Sequence, residues 1–151
     1  MNDKSYNIST RELWAKLFKA SSVSQFFGEN DGLCELPAFS DYISELCRLR
    51  GEKPGSVIKR SQIDSSYGHR LFSGLRNPSR DTVIQLAFGF GMDLEETQQL
   101  LKIAHAALLH PKVKRDAIIV FCICHGISLM DTQLTLENNS LPLIGGIKHV
   151  R

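Results

Sequence analysis

The 151-residue chain predicts an all-α protein, and three observations carry that reading. Apolar residues recur at three- and four-residue spacing through most of its length. Most such stretches open on Ser, Asp or Pro and close on Gly, the residues that cap helices. One run, Ala117 to Cys124, is continuously apolar, but it lies in a segment longer than a typical strand and no strand partner is found for it.

The first helix is expected from Ser9-Thr10-Arg11-Glu12, where Ser9 and Glu12 have the capping-box spacing and Leu13, Trp14, Leu17 and Phe18 fall on one face. Trp14 is read as packed against a neighbour, and Gly28 to Gly32 as a turn that ends this arm. From Pro37 a stronger helix carries Phe39, Tyr42, Ile43, Leu46, Cys47 and Leu49 and closes at Gly51. Pro54 suits the opening turn of a short helix with Val57 and Ile58 inward, interrupted at Ser61-Gln62. Asp64 caps a helix over Ser65 to Ser73, with Leu71 and Phe72 inward and Gly74 as terminator. Ser79 caps the next, which carries Val83, Ile84, Leu86, Ala87 and Phe88 as far as Gly91, and Asp93 with Glu96 opens another, with Leu100, Leu101, Ile103, Ala104 and Ala107 as its apolar positions. Lys112 to His125 is expected as a helix stopped by Gly126, and Ser128 with Asp131 caps a last one to about Glu137. The expected organisation is an N-terminal helical arm (1–36), a central domain (37–110), a C-terminal helical extension (111–140) and a flexible tail (141–151).

No stretch approaches the roughly 20 apolar residues of a bilayer-spanning helix, and Met1-Asn2-Asp3-Lys4 lacks the apolar core of a secretory signal, so a cytoplasmic protein with no membrane partner is expected. Cys34, Cys47, Cys122 and Cys124 are then read as unpaired thiols. The net charge of +2 divides unevenly. Residues 1–47 hold four cations and seven anions, 48–80 eight and two, and 81–151 six and seven, so one basic segment lies between two mildly acidic ones. That is the electrostatic footprint of a nucleic-acid contact, or else a solvated basic face.

The basic segment runs Gly51-Glu52-Lys53-Pro54-Gly55-Ser56-Val57-Ile58-Lys59-Arg60-Ser61-Gln62-Ile63-Asp64-Ser65-Ser66-Tyr67-Gly68-His69-Arg70-Leu71-Phe72-Ser73-Gly74 and ends in Leu75-Arg76-Asn77-Pro78-Ser79. It resembles the lambda-type repressor (xenobiotic-response-element, Cro-like) class of helix-turn-helix regulators over about a third of the chain. The resemblance implies a five-helix repressor-type helix-turn-helix domain, here with a short N-terminal helical arm and two additional C-terminal helices. The family pattern usually has a small residue at Ile58, Gly at Gln62, and Ile or Val at Gly68. Because the positions of Ile58 and Gly68 pack together in that fold, the exchange of large for small would conserve volume. Gln62 implies either a left-handed backbone or a modified turn.

Carried over by position, the resemblance implies that Ser65, Ser66, His69 and Arg70 face base edges, with Arg70 the strongest candidate because its guanidinium forks onto guanine. Lys53, Tyr67, Arg76, Asn77 and Arg80 would hold phosphates, while Arg48, Arg50, Lys59 and Arg60 are read as surface charges that aid solubility. The partners implied are double-stranded DNA and, since one such domain reads few base pairs, a second copy of the chain. The helices after Gly91, Ala117 to Cys124 above all, would supply the dimer contact or complete the monomer core.

Cys122, Cys124 and His125 are not read as metal ligands, because residues two apart on a helix point about 200° apart. His105 and His110 have no Cys or carboxylate at ligand spacing and are read as structural. No phosphate-loop, nucleophile-elbow or zinc-protease motif occurs, so neither an enzyme nor a cofactor is expected. The expected function is sequence-specific transcriptional regulation. The alternatives are an adaptor that keeps the scaffold without DNA and a toxin-neutralising or phage-defence component with a protein partner.

Overall fold

A computed structural model describes residues 10–32 and 35–146 of the chain. Among these residues all regular structure is helical: α1 (Thr10–Lys19), α2 (Val23–Glu29), α3 (Phe39–Arg50), α4 (Pro54–Arg60), α5 (Ser65–Ser73), α6 (Arg80–Phe90), α7 (Leu94–Ile103), α8 (Lys114–Cys124) and α9 (Leu129–Asn138). None of these helices is long and apolar enough to cross a membrane. The chain divides into two compact units, Met1–Pro37 and Ala38–Arg151.

The N-terminal unit holds α1 and α2. In α1 the ring of Trp14 stacks on that of Phe18 at 5.6 Å between centroids, yet both side chains are exposed. The expected Ser9–Glu12 capping box lies outside the described residues. The turn expected over Gly28 to Gly32 is present at Asp31-Gly32, where Gly32 takes a left-handed φ of +81°, and is corrected for Gly28 and Glu29, which complete α2. Ser22 starts α2 by accepting a hydrogen bond from the Gln25 N–H at 3.0 Å.

The second unit is organised around α6. Residues Thr82 to Ala87, Gly89 and Phe90 are all buried, so the helix is enclosed on every side, its polar Thr82 and Gln85 included. Such a helix folds only if its neighbours cover it completely, and α4 and α7 pack against it. The closest approach is to α4: a Cβ at Gly89 would collide with Ser61 and lie 2.9 Å from the Val57 carbonyl. Ile43 and Cys47 of α3, Leu71 of α5, Leu100 and Leu101 of α7, Ile119 of α8 and Leu129 and Leu136 of α9 complete one shared core. The inner face of the Ala117–Cys124 segment thus belongs to the monomer core, and Cys122, buried, and Cys124, exposed, point apart.

The caps follow the sequence. Asp64, Ser79, Asp93 and Ser128 each accept a backbone N–H three residues on, and Asp93 with Glu96 forms both bonds of a capping box. Each cap satisfies an amide that the first helical turn would otherwise leave open, worth about 1 kcal/mol.

The flexible tail expected from residue 141 is corrected for 141–146, which dock on the core. Ile144 is fully buried, and its N–H and carbonyl are both held by the Gln133 side-chain amide at 2.8 Å. The adjoining polar clasp is reciprocal. Arg80 and Asp81 at the start of α6 pair with Asp116 and Arg115 of α8, respectively, each through two parallel N–H···O bonds of 2.8–3.1 Å. Arg115 also donates to the carbonyls of Pro142 and Leu143, and the Gly145 N–H donates to Asp81.

Burial by itself would raise both aspartate carboxyls. The facing guanidiniums, with the Gly145 N–H at Asp81 and the His110 N–H at Asp116, outweigh it and hold both below the ordinary value. A carboxylate depressed in the fold stabilises it fully above the unfolded value of about 3.9 and loses that stabilisation as pH falls through the lower folded value. Asp116→Asn is therefore expected to cost about 3 kcal/mol at pH 7 and markedly less at pH 3, measured by urea denaturation at both. An equal loss at the two pH values would contradict the clasp as the source.

Candidate nucleic-acid interface

The geometry starts at the turn between α4 and α5. Gln62 takes φ +55°, the left-handed alternative the sequence left open, which costs a residue with a Cβ roughly 1–2 kcal/mol. The cost is met from the core, where the buried Gln85 side chain donates to the carbonyls of Ser61 (3.3 Å) and Gln62 (3.4 Å). Ser61 is itself buried and donates its hydroxyl to the Val57 carbonyl at 2.7 Å.

Beyond the turn, α5 lies flush on α4 because Gly68 has no side chain. A Cβ there would sit 2.5 Å from Ile58 Cγ2, so the large residue on one helix fills the space left by the small one on the other. With Gly68 and Leu71 facing inward, the 3.6-residue period turns Ser65, Ser66, His69, Arg70 and Ser73 outward. All five are exposed, and Ser65, Ser66, His69 and Arg70 have no side-chain hydrogen bond or ion pair among the described residues. Gly74 ends α5 at φ +83°, and the N–H groups of Leu75 and Arg76 both return to the Arg70 carbonyl, at 2.9 and 3.2 Å. The loop is thereby folded back beside the exposed face.

The structure sorts the eight cations of the basic segment into two groups. Arg48 pairs with Glu45. Arg50 pairs with Glu96 at 2.8 Å, donates to the Phe90 carbonyl and lies 5.6 Å from the Phe90 ring centroid. Arg60 pairs with Glu52 at 2.7 Å and donates to the Gly89 carbonyl at 2.9 Å. Arg80 holds Asp116 and the carbonyls of Ala107 and Leu108. Lys53, Lys59, Arg70 and Arg76 are exposed with no such partner among the described residues.

Two sequence expectations change accordingly. Arg80, expected at a phosphate, is engaged in the clasp with α8. Tyr67, also expected at a phosphate, is half-buried against the core and donates its hydroxyl to the Asn77 carbonyl at 3.4 Å, tying the loop to α5. Lys59 joins the unpaired set instead, although sequence reasoning left it among the solubilising charges. The local signal that separates it from Arg60 is absent, since Glu52 lies eight residues from Arg60 and Gly89 twenty-nine.

Among the described residues no group of three or more His, Cys, Asp or Glu side chains is placed to hold a metal ion. No protein-family model, curated protein or solved structure matches the chain.

The sorting of cations is testable without any ligand. Arg60→Ala and Arg80→Ala strand buried carbonyls or a buried carboxylate and are expected to lower stability by about 1–3 kcal/mol. Lys53→Ala, Lys59→Ala, Arg70→Ala and Arg76→Ala are expected to stay within about 0.5 kcal/mol of the parent, read by urea denaturation.

Proposed function

We propose that α3 to α7 form a repressor-type helix-turn-helix domain that binds double-stranded DNA sequence-specifically, with α5 in the major groove. One observation carries this reading: α5 turns the unpartnered side chains of Ser65, Ser66, His69 and Arg70 outward, and the other unpaired cations of the segment, Lys53, Lys59 and Arg76, stand at the two ends of α4 and in the loop after α5. Nine residues make a rod about 13 Å long, and the major groove, about 12 Å wide, admits a helix.

The roles follow from chemistry. Arg70 presents five N–H donors in a planar fork that matches O6 and N7 of guanine, whereas Ser65, Ser66 and His69 offer single donors or acceptors to base edges or to phosphate. Lys53, Lys59 and Arg76, with the exposed amide of Asn77, neutralise or bond phosphates on either side and set the register of α5 without reading sequence. Tyr67 acts indirectly, by holding the Arg76-Asn77 loop in place. The protein so described is a transcriptional regulator of the binding kind, and nothing in its chemistry requires a cofactor.

Two measurements on the full chain test the proposal. Affinity for random duplex DNA is expected to fall steeply with salt, and each of Lys53→Ala, Lys59→Ala and Arg76→Ala to reduce the slope of log K against log salt by about 0.9. Selection from a random DNA pool is expected to return a preferred sequence, and Arg70→Ala to relax the preference at one position, where a bidentate contact discriminates by about 1–3 kcal/mol. Absence of binding at low salt would overturn the proposal and favour a protein-interaction adaptor.

A further inference from the structure

Segment 141–146 is anchored at each step along its length. Arg115 holds the carbonyls of Pro142 and Leu143, Ile144 is buried with its backbone on the Gln133 amide, and the Gly145 N–H reaches Asp81. Asp81 and Gln85 stand four residues apart and share one face of α6, so backbone anchored on Asp81 is brought up to Gln85. The approach is close. A Cβ at Gly145 would sit 2.8 Å from Gln85 Oε1 and 3.2 Å from its Nε2.

The Gln85 side chain is 5% exposed, and the two ends of its amide face different parts of the chain. Its oxygen is the atom nearest Gly145, while its nitrogen donates to the carbonyls of Ser61 and Gln62, at 3.3 and 3.4 Å. Both bonds are long, so a small displacement of the amide breaks them. They restrain a turn in which Gln62 is held at φ +55° against the preference of a residue with a Cβ, and two residues later Asp64 caps α5. The placing of Gly145 is thus passed through one side chain to the turn from which α5 starts.

We infer that segment 141–146 is a strap that sets the α4–α5 turn, with Gly145 and Gln85 as its positioning residues. Docked, the strap keeps the Gln85 amide on the carbonyls of Ser61 and Gln62. Lifted, it leaves the amide free to turn away and the start of α5 to loosen. The consequence for DNA rests on the function proposed above, whereas the coupling itself is measured without DNA, so the two can fail separately.

Amide hydrogen exchange of the full chain, followed by NMR, tests the coupling with two contrasting alanine variants. Gly145 and Gly146 both have left-handed backbone, φ +90° and +59°, so alanine strains either, but a Cβ at Gly146 would meet nothing within 4 Å. Gly145→Ala is expected to speed exchange of the Gln62 and Ile63 amides about tenfold or more relative to that of Leu101 in the core, and Gly146→Ala to leave that ratio within about twofold. Gln85→Ala is expected to speed the same two amides, and the addition of Gly145→Ala to it to change them no further, because both act through one side chain. Equal effects of the two glycine variants, an unchanged ratio in Gly145→Ala, or additive effects in the double variant would overturn the inference.

Discussion

The structure depends on burying α6 on all of its faces. Val83, Ile84, Leu86, Ala87 and Phe90 cover about half of its circumference, and Thr82, Gln85 and Gly89 on the other half are buried as well, so the rest of the second unit is arranged to enclose it. Gly89 lets α4 approach to backbone distance. Gln85, one of two polar residues in the buried stretch with Thr82, donates its amide to the turn that leads into α5. The first turn, Arg80 and Asp81, is buttressed by Asp116 and Arg115 of α8 and by the docked tail. Removing one member of such a pair leaves an uncompensated charge, so the clasp makes α8 and residues 141–146 parts of the same folding unit.

The candidate interface is a consequence of that enclosure. Because α4 is held on α6 and α5 on α4 through Gly68 and Ile58, the side of α5 away from the core has nothing left to pack against. Its residues are small, polar or cationic, as an exposed face allows. Internal pairing then refines the electrostatics: Arg48, Arg50, Arg60 and Arg80 are neutralised by neighbouring carboxylates, and the positive charge that remains is concentrated at Lys53, Lys59, Arg70 and Arg76. The local field is set by these four rather than by the formal count of the segment.

Much of this was legible before the structure. Helices with local start and stop signals were read to within two residues: Asp64 and Gly74 bound α5, Ser79 and Gly91 bound α6, and Ser128 opens α9. The compensation between Ile58 and Gly68 and the left-handed Gln62 were legible only through departures from a family pattern. What escaped has a common cause. The bonds of Arg60 to Gly89, Arg80 to Asp116 and Arg115 to Asp81 join residues 29 to 36 positions apart, and no periodicity records such pairs. The tail docks through single residues such as Ile144 and through backbone groups, which carry no pattern either. For α2 a signal existed, Ser22 with Gln25, but Gly28 so close to it reads as a turn.

In the function proposed above, the outward side of α5 and the cations Lys53, Lys59 and Arg76 form one contact surface for duplex DNA. The most direct measurement is a titration of the isotopically labelled chain with a short duplex, followed residue by residue through backbone amide chemical shifts. The account predicts shifts concentrated on Lys53 to Lys59, Ser65 to Arg70 and Arg76-Asn77, with α7 and α9 little changed. Shifts confined to other helices, or none at low salt, would contradict it.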